Sequence, residues 1–579
     1  MSIKCTINDR ELTVEEGTTV LEAARTINVD IPTLCHMKLE DFQYENMPSS
    51  CRLCMVEIEG RKNLSTACSE VITDGMVIRT DTAKAVSARK TNLELLLSNH
   101  PKSCLVCPKN LECELQDLAA KLGIREIPYS GERMMHKMDK SSHAIQRDPS
   151  KCVMCRRCES MCNEIQTVGT LSALDRGFAA IVSPAFKIPL EDSSCTFCGQ
   201  CAAVCPTGAI VELDETAKVW QALKDPTKHV VVQVAPAIRV AIGEVFGLQP
   251  GEIKTGKLVT ALRRLGFDAV FDTDFSADLT VMEEASEFVD RIENGGVLPI
   301  LTSCCPAWVR FIETNYPDML DIPSSCKSPQ IMMGTMVKTY YAEKTGINPK
   351  DIVMVSVMPC TAKKAEAART ELQNSEVPDV DIVLSTRELG RMINLFGINF
   401  HDLPDSDFDS LLGESTGAGV IFGTTGGVIE ATVRTAVDWI TGGEVDKIDF
   451  KELRGIEGIR TANVKVKDLD LNIGIANGLG NARKLLDGIK SGEYKFDAIE
   501  IMACPGGCIG GGGQPYHHGD SGVLKKRQKA LYEIDSKKKI RKSHENLMIK
   551  EIYEKYLGKP YGVKAHELLH TKYTAREKI

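Results

Sequence analysis

The chain has 579 residues, a formal net charge of -9 at pH 7 and 22 cysteines, and 43% of its residues are hydrophobic. This hydrophobic share excludes a disordered chain, and the acidic balance argues against a nucleic-acid binder, which needs a basic face. No uninterrupted apolar run reaches the roughly 18–20 residues that a membrane helix needs.

The beginning of the chain lacks the charged and then apolar pattern of a signal peptide, so we expect a cytoplasmic protein. In that reducing compartment, many cysteines indicate metal binding or catalysis and not a disulfide framework. Sixteen of the 22 cysteines lie before residue 206, which separates a cysteine-rich first part from a second part of another kind.

The first 80 residues open with a predicted hairpin and helix. Ile3–Ile7 and Glu11–Val14 have the pattern of paired strands, and Thr19–Ile27 predicts a helix with Thr18 as its N-cap. Four cysteines follow, spaced as in the 2Fe-2S site of plant-type ferredoxins except for a longer first gap: Cys35, Cys51, Cys54 and Cys68. Cys5 lies outside this pattern and is predicted to be a packed core thiol.

A second group follows the pattern His-x3-Cys-x2-Cys-x5-Cys and consists of His100, Cys104, Cys107 and Cys113. Three cysteines at this spacing favour an iron–sulfur cluster. For His100 the spacing alone leaves two interpretations open, a fourth ligand or a turn residue before a proline.

Two runs of the form Cys-x2-Cys-x2-Cys-x3-Cys come next. They predict a pair of 4Fe-4S clusters in which the fourth cysteine of each run binds the other cluster. The runs are Cys152, Cys155, Cys158, Cys162 and Cys195, Cys198, Cys201, Cys205. Zinc is disfavoured, because it prefers separated cysteine pairs or cysteine–histidine sets.

From about residue 225 the pattern changes to β-loop-α units, which predict parallel sheets with helices on their faces. Strands are predicted at 230–234, 297–301, 352–357 and 496–501, and helices begin at Ala237, Ala307 and Ala362. Loops after parallel strands meet at one edge of a sheet. Cysteines in three of these loops could therefore form one four-thiolate set: Cys305, Cys360, Cys504 and Cys508.

Three segments in this part resemble the signatures of FeFe hydrogenases. They are residues 302–308 (Thr-Ser-Cys-Cys-Pro-Ala-Trp), 358–366 (Met-Pro-Cys-Thr-Ala-Lys-Lys-Ala-Glu) and 500–515, which contains Ala-Cys-Pro-Gly-Gly-Cys. The cysteine-rich first part is similar to the accessory region of the monomeric clostridial type. The resemblance covers essentially the whole chain, and it makes His100 a probable cluster ligand because that family uses His/Cys3 at this spacing.

The resemblance implies a two-lobed α/β catalytic domain, with small parallel sheets, that reversibly reduces protons to dihydrogen. Its cofactor would be the H-cluster, a 4Fe-4S cubane joined through one cysteine, Cys508, to a diiron unit with CO, cyanide and azadithiolate ligands. Three accessory 4Fe-4S clusters and one 2Fe-2S cluster would exchange electrons with ferredoxin or a similar redox carrier. Maturation enzymes would build the diiron unit, and neither nucleic acid nor a membrane is an expected partner.

The same resemblance implies which side chains surround the diiron unit. Lys363 can donate a charge-assisted hydrogen bond to a cyanide. The remaining pocket residues are a backbone turn, an amide and three apolar side chains: Pro236, Ala237, Gln330, Met358, Met502 and Phe422. From the residues alone, the methionines and the phenylalanine are equally well explained as core.

A proton relay is the last implied feature. Cys304, next to Cys305, would pass protons to the bridging amine, supplied through Glu284, Ser324, Glu287 and Arg291. The helical spacing of Glu284, Glu287 and Arg291 places them on one face. Without the resemblance, Glu287 and Arg291 would be interpreted as an ordinary i,i+4 surface pair.

Other features have simpler interpretations. Ala307 stands where this family often has glycine, and we hypothesise an effect on oxygen access. Cys326 is predicted to be a packed thiol. His566 and His570, four residues apart, could bind a metal, but they are predicted to lie on a solvated helix face. The basic stretches Lys525–Arg527 and Lys537–Lys542 are also predicted to be solvated, although they could dock an acidic ferredoxin. The glycine-rich stretch 423–427 lacks the lysine of a phosphate loop, so no nucleotide site is expected.

Five segments are expected in order. They are a 2Fe-2S ferredoxin-like domain at 1–80, a His/Cys3 domain at 81–125, a two-cluster 4Fe-4S domain at 126–210, the catalytic domain at 211–525 and a small-subunit-like tail at 526–579. The main alternative is a non-hydrogenase electron-transfer subunit, which shares the first three segments but does not explain the second cysteine set. An iron–sulfur assembly relative or a sensory hydrogenase would lack the relay thiol.

Overall fold

The computed structural model describes residues 2–39, 44–373, 377–443, 448–466 and 469–578. The N-terminal part is built on a five-stranded mixed sheet in the order β2-β1-β7-β5-β6, with one helix packed on it. Its elements, with a separate β3–β4 hairpin, are β1 (Ser2–Ile7), β2 (Arg10–Glu15), α1 (Val20–Thr26), β3 (Met37–Leu39), β4 (Tyr44–Asn46), β5 (Met55–Ile58), β6 (Ser65–Thr66) and β7 (Met76–Arg79).

The predicted hairpin is confirmed, because β1 pairs antiparallel with β2. The predicted N-cap is wrong by one residue. Thr19, not Thr18, caps α1, because its side chain accepts from the Glu22 amide while the Glu22 carboxylate accepts from the Thr19 backbone. That reciprocal arrangement satisfies two amides at once, which a cap at Thr18 could not do with this glutamate.

The middle part is made of short elements wrapped around cysteine-rich loops, with a long helix leading into it. The elements are α2 (Ala83–Asn99), α3 (Glu114–Lys121), β8 (Ile145–Arg147), α4 (Arg157–Ser160), β9 (Ser172–Leu174), β10 (Ile181–Ser183), α5 (Gln200–Ala203), β11 (Ile210–Glu212) and α6 (Thr216–Lys224). β8 pairs with β11 and β9 with β10, both antiparallel.

The largest part has two lobes, each built on a four-stranded sheet. The first contains β12 (His229–Val234), α7 (Thr255–Leu265), β13 (Ala269–Asp272), α8 (Thr273–Glu293), β14 (Ile300–Leu301), α9 (Pro306–Asn315), α10 (Pro329–Met336), α11 (Ala342–Thr345), β15 (Ile352–Met358), α12 (Ala362–Ala367), β16 (Ile382–Ser385) and α13 (Thr386–Leu395). The second adds α14 (Gly417–Val420), α15 (Gly427–Thr441), β17 (Ile459–Val466), β18 (Leu469–Asn477), α16 (Leu479–Ser491) and β19 (Ala498–Met502).

Strand β14 lies among the elements of the first lobe in chain order, but it pairs with β19 in the sheet of the second lobe. The first sheet, β13-β12-β15-β16, is parallel throughout. The second, β14-β19-β18-β17, is parallel except for β17, which joins β18 as an antiparallel hairpin. The strands of the first sheet are apolar on both faces because helices cover both sides.

Two local predictions for this part are wrong. The helix expected from Ala237 is a single 3-10 turn, Pro236–Ile238, followed by a second short 3-10 segment. The strand expected at 297–301 is limited to Ile300–Leu301, because Pro299 has no amide hydrogen to donate to a ladder.

The C-terminal tail consists of α17 (Ser521–Lys537), α18 (Leu547–Ile552) and α19 (Val563–Leu569). Its apolar side chains, among them Ile552 and Leu569, are part of the core of the first lobe. In the described part of the chain, no helix is both long and apolar enough to cross a bilayer.

Candidate active site

Four thiols meet between the two lobes, each just past the end of a strand or on the loop that follows it. Cys305 precedes α9, Cys360 follows β15, and Cys504 and Cys508 lie on the loop after β19. Cys360 and Cys504 are buried, Cys305 and Cys508 are partly buried, and the four thiols lie close enough to affect one another. Burial, with the Cys305 thiol, raises the pKa of Cys508 to about 12, and Cys360 and Cys305 add to the effect of burial on Cys504.

Glycines let the Cys504–Cys508 loop pass very close to its neighbours. Gly507 has φ +92° and ψ -153°, a conformation that only glycine adopts readily. A Cβ on Gly507 would lie 2.5 Å from the Thr425 amide nitrogen. A Cβ on Gly512 would lie 2.7 Å from the carbonyl oxygen of Cys198, in the cysteine-rich middle part.

Lys363 and Gln330 lie beside the four thiols and share one anchor, Glu366. The Lys363 ammonium donates to the Glu366 carboxylate at 2.8 Å and to the Cys304 carbonyl at 3.0 Å. The Gln330 side-chain amide donates to Glu366 and to the Lys363 carbonyl, both at 3.0 Å. Burial alone would lower the pKa of Lys363, but Glu366 outweighs it and the pKa is raised. The lysine is therefore charged.

The structure also shows an unsatisfied acceptor here. The Gln330 side-chain oxygen is buried and has no hydrogen-bond partner in the protein. Leaving such an atom buried costs roughly 1–3 kcal/mol. The four thiols and the charged lysine suit a bound anionic iron–sulfur group, whereas the Gln330 oxygen can only accept and would need a hydrogen-bond donor.

Apolar side chains wall this site. Phe422 and Met502 belong to a buried cluster that also packs on Cys304 and Cys508, and Met358 is buried at the end of β15. Pro236 and Ala237 form the buried 3-10 turn after β12. The Ala237 carbonyl accepts from the Gln514 amide at 3.0 Å, which fixes this turn against the Cys508 loop.

The predicted relay residues form a line from Cys304 along α8. The Arg291 guanidinium donates to Glu287 Oε1 at 2.6 Å, and the Ser324 hydroxyl donates to Glu287 Oε2 at 2.8 Å. Glu287 and Glu284 are both buried, so the interpretation of Glu287 and Arg291 as an exposed surface pair does not hold. Ser324 contacts Glu287, and the hydrogen bond to Glu284 comes instead from the Ser303 amide at 3.4 Å.

Glu284 has the electrostatics of a group that carries a proton. Burial raises its pKa to about 8; the Ser303 amide opposes this, and the nearby Glu287 and Glu500 carboxylates add to it. Its Oε2 atom is buried without a partner. Burial, with Glu284 as the next contribution, also raises the pKa of the Cys304 thiol well above its usual range. Both groups therefore hold protons near neutral pH.

The two ferredoxin-like runs enclose two cavities, each lined by three cysteines of one run and the fourth of the other. The first is lined by Cys152, Cys155, Cys158 and Cys205. The second is lined by Cys162, Cys195, Cys198 and Cys201.

The second cavity lies directly against the four-thiol site. The Thr361 hydroxyl, next to Cys360, donates to the Phe197 carbonyl at 2.8 Å, and the Gln200 amide donates to the Gly510 carbonyl at 2.9 Å. On α9, Arg310 donates to the Cys195 carbonyl at 2.8 Å. Three loops of the site therefore hold this cysteine run.

The two earlier groups border the first cavity. Cys35, Cys51, Cys113 and Cys155 share one buried cluster, and the Asn46 amide bridges the carbonyls of Cys35 and Cys155 at 2.6 and 3.2 Å. Cys54 and Cys68 are also buried, and each affects the other's pKa.

His100 lines one cavity with Cys104, Cys107 and Cys113. Burial, with Lys151 as a second cause, lowers the pKa of His100 to about 4, so its ring is neutral. Its Nδ1 atom is buried without a partner. A neutral, unsatisfied imidazole facing three thiols fits a ligand better than a turn residue.

Two predictions for the C-terminal tail are wrong. His570 is not on a solvated face: it follows α19, is 5% exposed, and contacts Glu283 and Ser325. The basic stretches are not simply solvated either. Arg527 is fully buried against Glu244, and Lys542 pairs with Asp438. His566 is exposed as expected, and Cys5 and Cys326 are buried as expected.

Sequence reasoning missed Glu366, Glu283 and Ser325. Glu366 could have been found, because it lies three residues after Lys363 on one helix face. Glu283 carries no such signal, because its partner His570 is 287 residues away in the chain.

Comparison with known proteins agrees with this architecture. The model "Iron only hydrogenase large subunit, C-terminal domain" matches residues 228–512, and the iron hydrogenase small subunit model matches 521–576. A 2Fe-2S cluster binding domain matches 1–83, an NADH-ubiquinone oxidoreductase-G iron–sulfur region matches 89–128, and a 4Fe-4S binding domain matches 188–211.

Among curated proteins, the NADP-reducing hydrogenase subunit HndD of Solidesulfovibrio fructosivorans is 56% identical over 580 residues, covering 99% of each chain. The chain belongs to the FeFe hydrogenases. Iron hydrogenase 1 of Clostridium pasteurianum is 40% identical over 572 residues, covering 98% of this chain and 99% of that protein. A solved structure of apo FeFe hydrogenase HydA1 from Chlamydomonas reinhardtii has 47% identity and a TM-score of 0.56, covering 62% of this chain and 99% of that one.

The hydrogenase therefore has an N-terminal 2Fe-2S ferredoxin domain, a 4Fe-4S region and an α/β catalytic domain with small parallel sheets. An electron-transfer subunit without this catalytic domain does not account for the match across 228–512.

Proposed function

We propose that the four thiols of Cys305, Cys360, Cys504 and Cys508 hold an H-cluster at which this hydrogenase reversibly reduces protons to dihydrogen. The observation that carries this proposal is the convergence of these thiols from three loops beside a charged lysine and an unsatisfied amide oxygen. Cys508 is proposed as the thiolate shared between the cubane and the diiron unit. When bound, the H-cluster supplies iron at which protons and electrons combine.

Only the Cys508 sulfur would bond the diiron unit, so the pocket must hold this unit mainly through weaker contacts. Lys363, fixed by Glu366, places a positive charge where an anionic ligand needs a hydrogen bond. The Gln330 side chain is oriented by the same carboxylate. The apolar walls from Met358, Met502 and Phe422 exclude water, which strengthens every polar contact inside.

We propose that protons reach Cys304 along the carboxylates of α8. The Arg291 side chain is 13% exposed at the outer end, Glu287 accepts from it and from Ser324, and Glu284 lies closer to Cys304. A carboxyl with a pKa near 8 can both accept and release a proton at neutral pH, which is what stepwise transfer requires.

Electrons would follow the cysteine sets in series. We propose one 2Fe-2S cluster at Cys35, Cys51, Cys54 and Cys68, and three 4Fe-4S clusters at the His100 set and at the two ferredoxin-like cavities. The 2Fe-2S and His100 sets both border the first ferredoxin-like cavity. The proposed electron path therefore has two branches that join at this cavity. The boundaries at residues 80, 125, 210 and 525 are part of the same proposal.

The physiological electron partner is proposed to be ferredoxin in the cytoplasm, with maturation enzymes supplying the diiron unit. The similarity to HndD favours a second candidate, a role as one subunit of an NADP-reducing assembly. The two differ in a simple assay of the purified chain. Reduced ferredoxin alone should support hydrogen evolution in the first case. In the second case NADPH should support it only after co-purifying subunits are added.

The experiment that tests the site is infrared spectroscopy after loading the iron–sulfur-reconstituted chain with a synthetic diiron azadithiolate complex. We expect CO and cyanide bands in the wild type, and no stably bound bands in Cys508→Ala. Cys5→Ala removes a buried thiol of the N-terminal domain and should load normally. Equal loading of Cys508→Ala would contradict the proposed ligand set.

A further inference from the structure

A second group of potential metal ligands lies beside the relay, outside every cysteine set described above. The ligand atoms of Glu287, Cys326 and His570 all lie within 4.8 Å of one another, and all three residues are buried. The Cys326 sulfur is 3.9 Å from Glu287 Oε2 and 4.0 Å from His570 Nδ1. The three come from α8, from the loop before α10 and from the C-terminal tail.

A carboxylate holds the His570 ring in the way that is usual for metal-binding histidines. His570 Nε2 is 2.9 Å from Glu283 Oε2, and the Glu283 carboxylate is itself fixed by the Tyr553 hydroxyl and the Tyr561 amide. An imidazole that donates from one nitrogen to a carboxylate presents the lone pair of the other nitrogen, and such carboxylate–histidine pairs are the usual outer contacts of metal sites. His570 Nδ1 therefore points its lone pair toward Ser325 and Cys326.

The backbone keeps this arrangement in place. The Lys327 amide donates to the Leu569 carbonyl and the Thr571 amide donates to the Ser325 carbonyl, both at 2.8 Å. These two bonds pair the tail with the Cys326 loop as a short antiparallel bridge. The site is thus preformed and needs the C-terminal tail to be complete.

We propose that Glu287, Cys326 and His570 form a zinc site that controls the proton relay. Thiolate, imidazole and carboxylate are the ligands zinc takes, in tetrahedral geometry, and tetrahedral zinc spaces such atoms roughly 3.3–3.6 Å apart. The separations of 3.9 and 4.0 Å from the Cys326 sulfur need a small contraction, and the Glu287 and His570 ligand atoms, within 4.8 Å of each other, must also move closer. The Ser325 hydroxyl, 2.8 Å from His570 Nδ1, marks the fourth position, which it or a water fills.

Binding is a simple exchange without oxidation or reduction. The zinc ion takes the Cys326 sulfur as thiolate and releases one proton to solvent. It takes Glu287 Oε2 in place of the Ser324 and Ser325 hydrogen bonds, while Arg291 keeps Oε1. A carboxylate bound to zinc no longer accepts protons freely, so zinc at this site slows hydrogen evolution; this consequence rests on the proposed relay, whereas the binding itself does not.

The test is an equilibrium zinc titration of the anaerobic holoenzyme, followed by zinc-edge X-ray absorption. We expect one zinc per chain, with one sulfur at about 2.3 Å and the remaining ligands nitrogen or oxygen. Cys326→Ala and His570→Gln should each weaken binding by at least about tenfold, and Glu283→Gln by about 10–100-fold through the histidine. The matched controls His566→Gln and Cys5→Ala should bind zinc as the wild type does.

Iron content, measured on every sample, verifies that the variants fold and keep their clusters. Zinc with several sulfur ligands, or with none, would overturn the proposal, as would affinities unchanged by Cys326→Ala, His570→Gln and Glu283→Gln. With zinc bound, viologen-driven hydrogen evolution should fall in the wild type and resist zinc in His570→Gln. A chain that binds zinc as expected but never evolves hydrogen would refute the proposed function and leave the zinc site standing.

Discussion

Glu284 has an unusual position for a carboxylate, because it is buried on all sides and accepts one long hydrogen bond, from the Ser303 amide. Loss of solvation on burial is the largest effect on the Glu284 carboxyl, and it raises the pKa of this group to about 8. A carboxyl whose pKa is raised in the folded state contributes stability that is fully present below its unfolded pKa near 4.5 and is lost as the pH rises through about 8. Between these values the folded protein holds a proton that the unfolded chain releases.

This predicts a titration that infrared difference spectroscopy can follow. The wild type should show a protonated-carboxyl band that disappears with an apparent pKa near 8, and Glu284→Gln should lack it. Glu284→Gln should also gain stability relative to the wild type as the pH rises from about 4.5 to about 8, with no further gain above that, because the amide has no charge to bury. A band that titrates near the ordinary glutamate value in both proteins would contradict the burial argument.

Single residues were predicted well where their chemistry repeats at fixed spacing. The two ferredoxin-like runs could be listed from the sequence because their cysteines recur every three or four positions. The widely spaced set from Cys305 to Cys508 needed the positions of the loops and the family resemblance. Glu283 and His570 could not, since each looks like an ordinary helix or tail residue until the fold brings the two together. The prediction that Arg527 and Lys542 are solvated was wrong for the same reason, because their acidic partners are distant in sequence.

At the scale of elements, strand-loop-helix units were predictable and their exact ends were not. The strands β12, β15 and β19 were found because each is an apolar run followed by a loop, and the loops after β15 and β19 carry cysteines. The helix expected from Ala237 failed because the chain turns there to place Pro236 and Ala237 against the Cys508 loop. The antiparallel β17 was not foreseen, because an edge strand carries no signal for its direction.

The tail should depend on its buried face. Leu569→Ala removes a fully buried side chain from the core of the first lobe, at a cost of about 2–5 kcal/mol. It should make the tail open and become sensitive to limited proteolysis, as judged by loss of the C-terminal fragment. Leu547→Ala, at a position 70% exposed, should leave the cleavage rate within about twofold of the wild type. Equal cleavage of the two variants would mean that the tail is not held by this packing.

At the scale of the whole molecule, the cysteine-rich part and the catalytic lobes form one connected path. Gly512 is one close approach between them, because its missing Cβ would lie 2.7 Å from both the Cys198 carbonyl oxygen and the Gly199 Cα. Backbone atoms on both sides cannot move away cheaply. The order of the segments could be predicted from sequence, whereas this direct contact between them could not.

Gly512→Ala should therefore force the two parts slightly apart. We expect a loss of about 1–3 kcal/mol, measured as a lower temperature at which the iron–sulfur absorbance is lost. Electron transfer from an external donor should slow in parallel. Gly131→Ala is the matched control, because a Cβ there meets nothing within 4 Å. An unchanged transition in Gly512→Ala would show that the contact is looser than the structure has it.

The central claim is that this chain joins protons and electrons into dihydrogen between its two lobes. It is tested most directly by hydrogen evolution from reduced viologen, using anaerobic protein with full iron–sulfur content and a loaded diiron complex. The account predicts rapid evolution in the wild type and in Cys5→Ala, and a loss of at least about 100-fold in Cys304→Ala, since the thiol carries the proton. No evolution from fully loaded wild-type protein would contradict the claim.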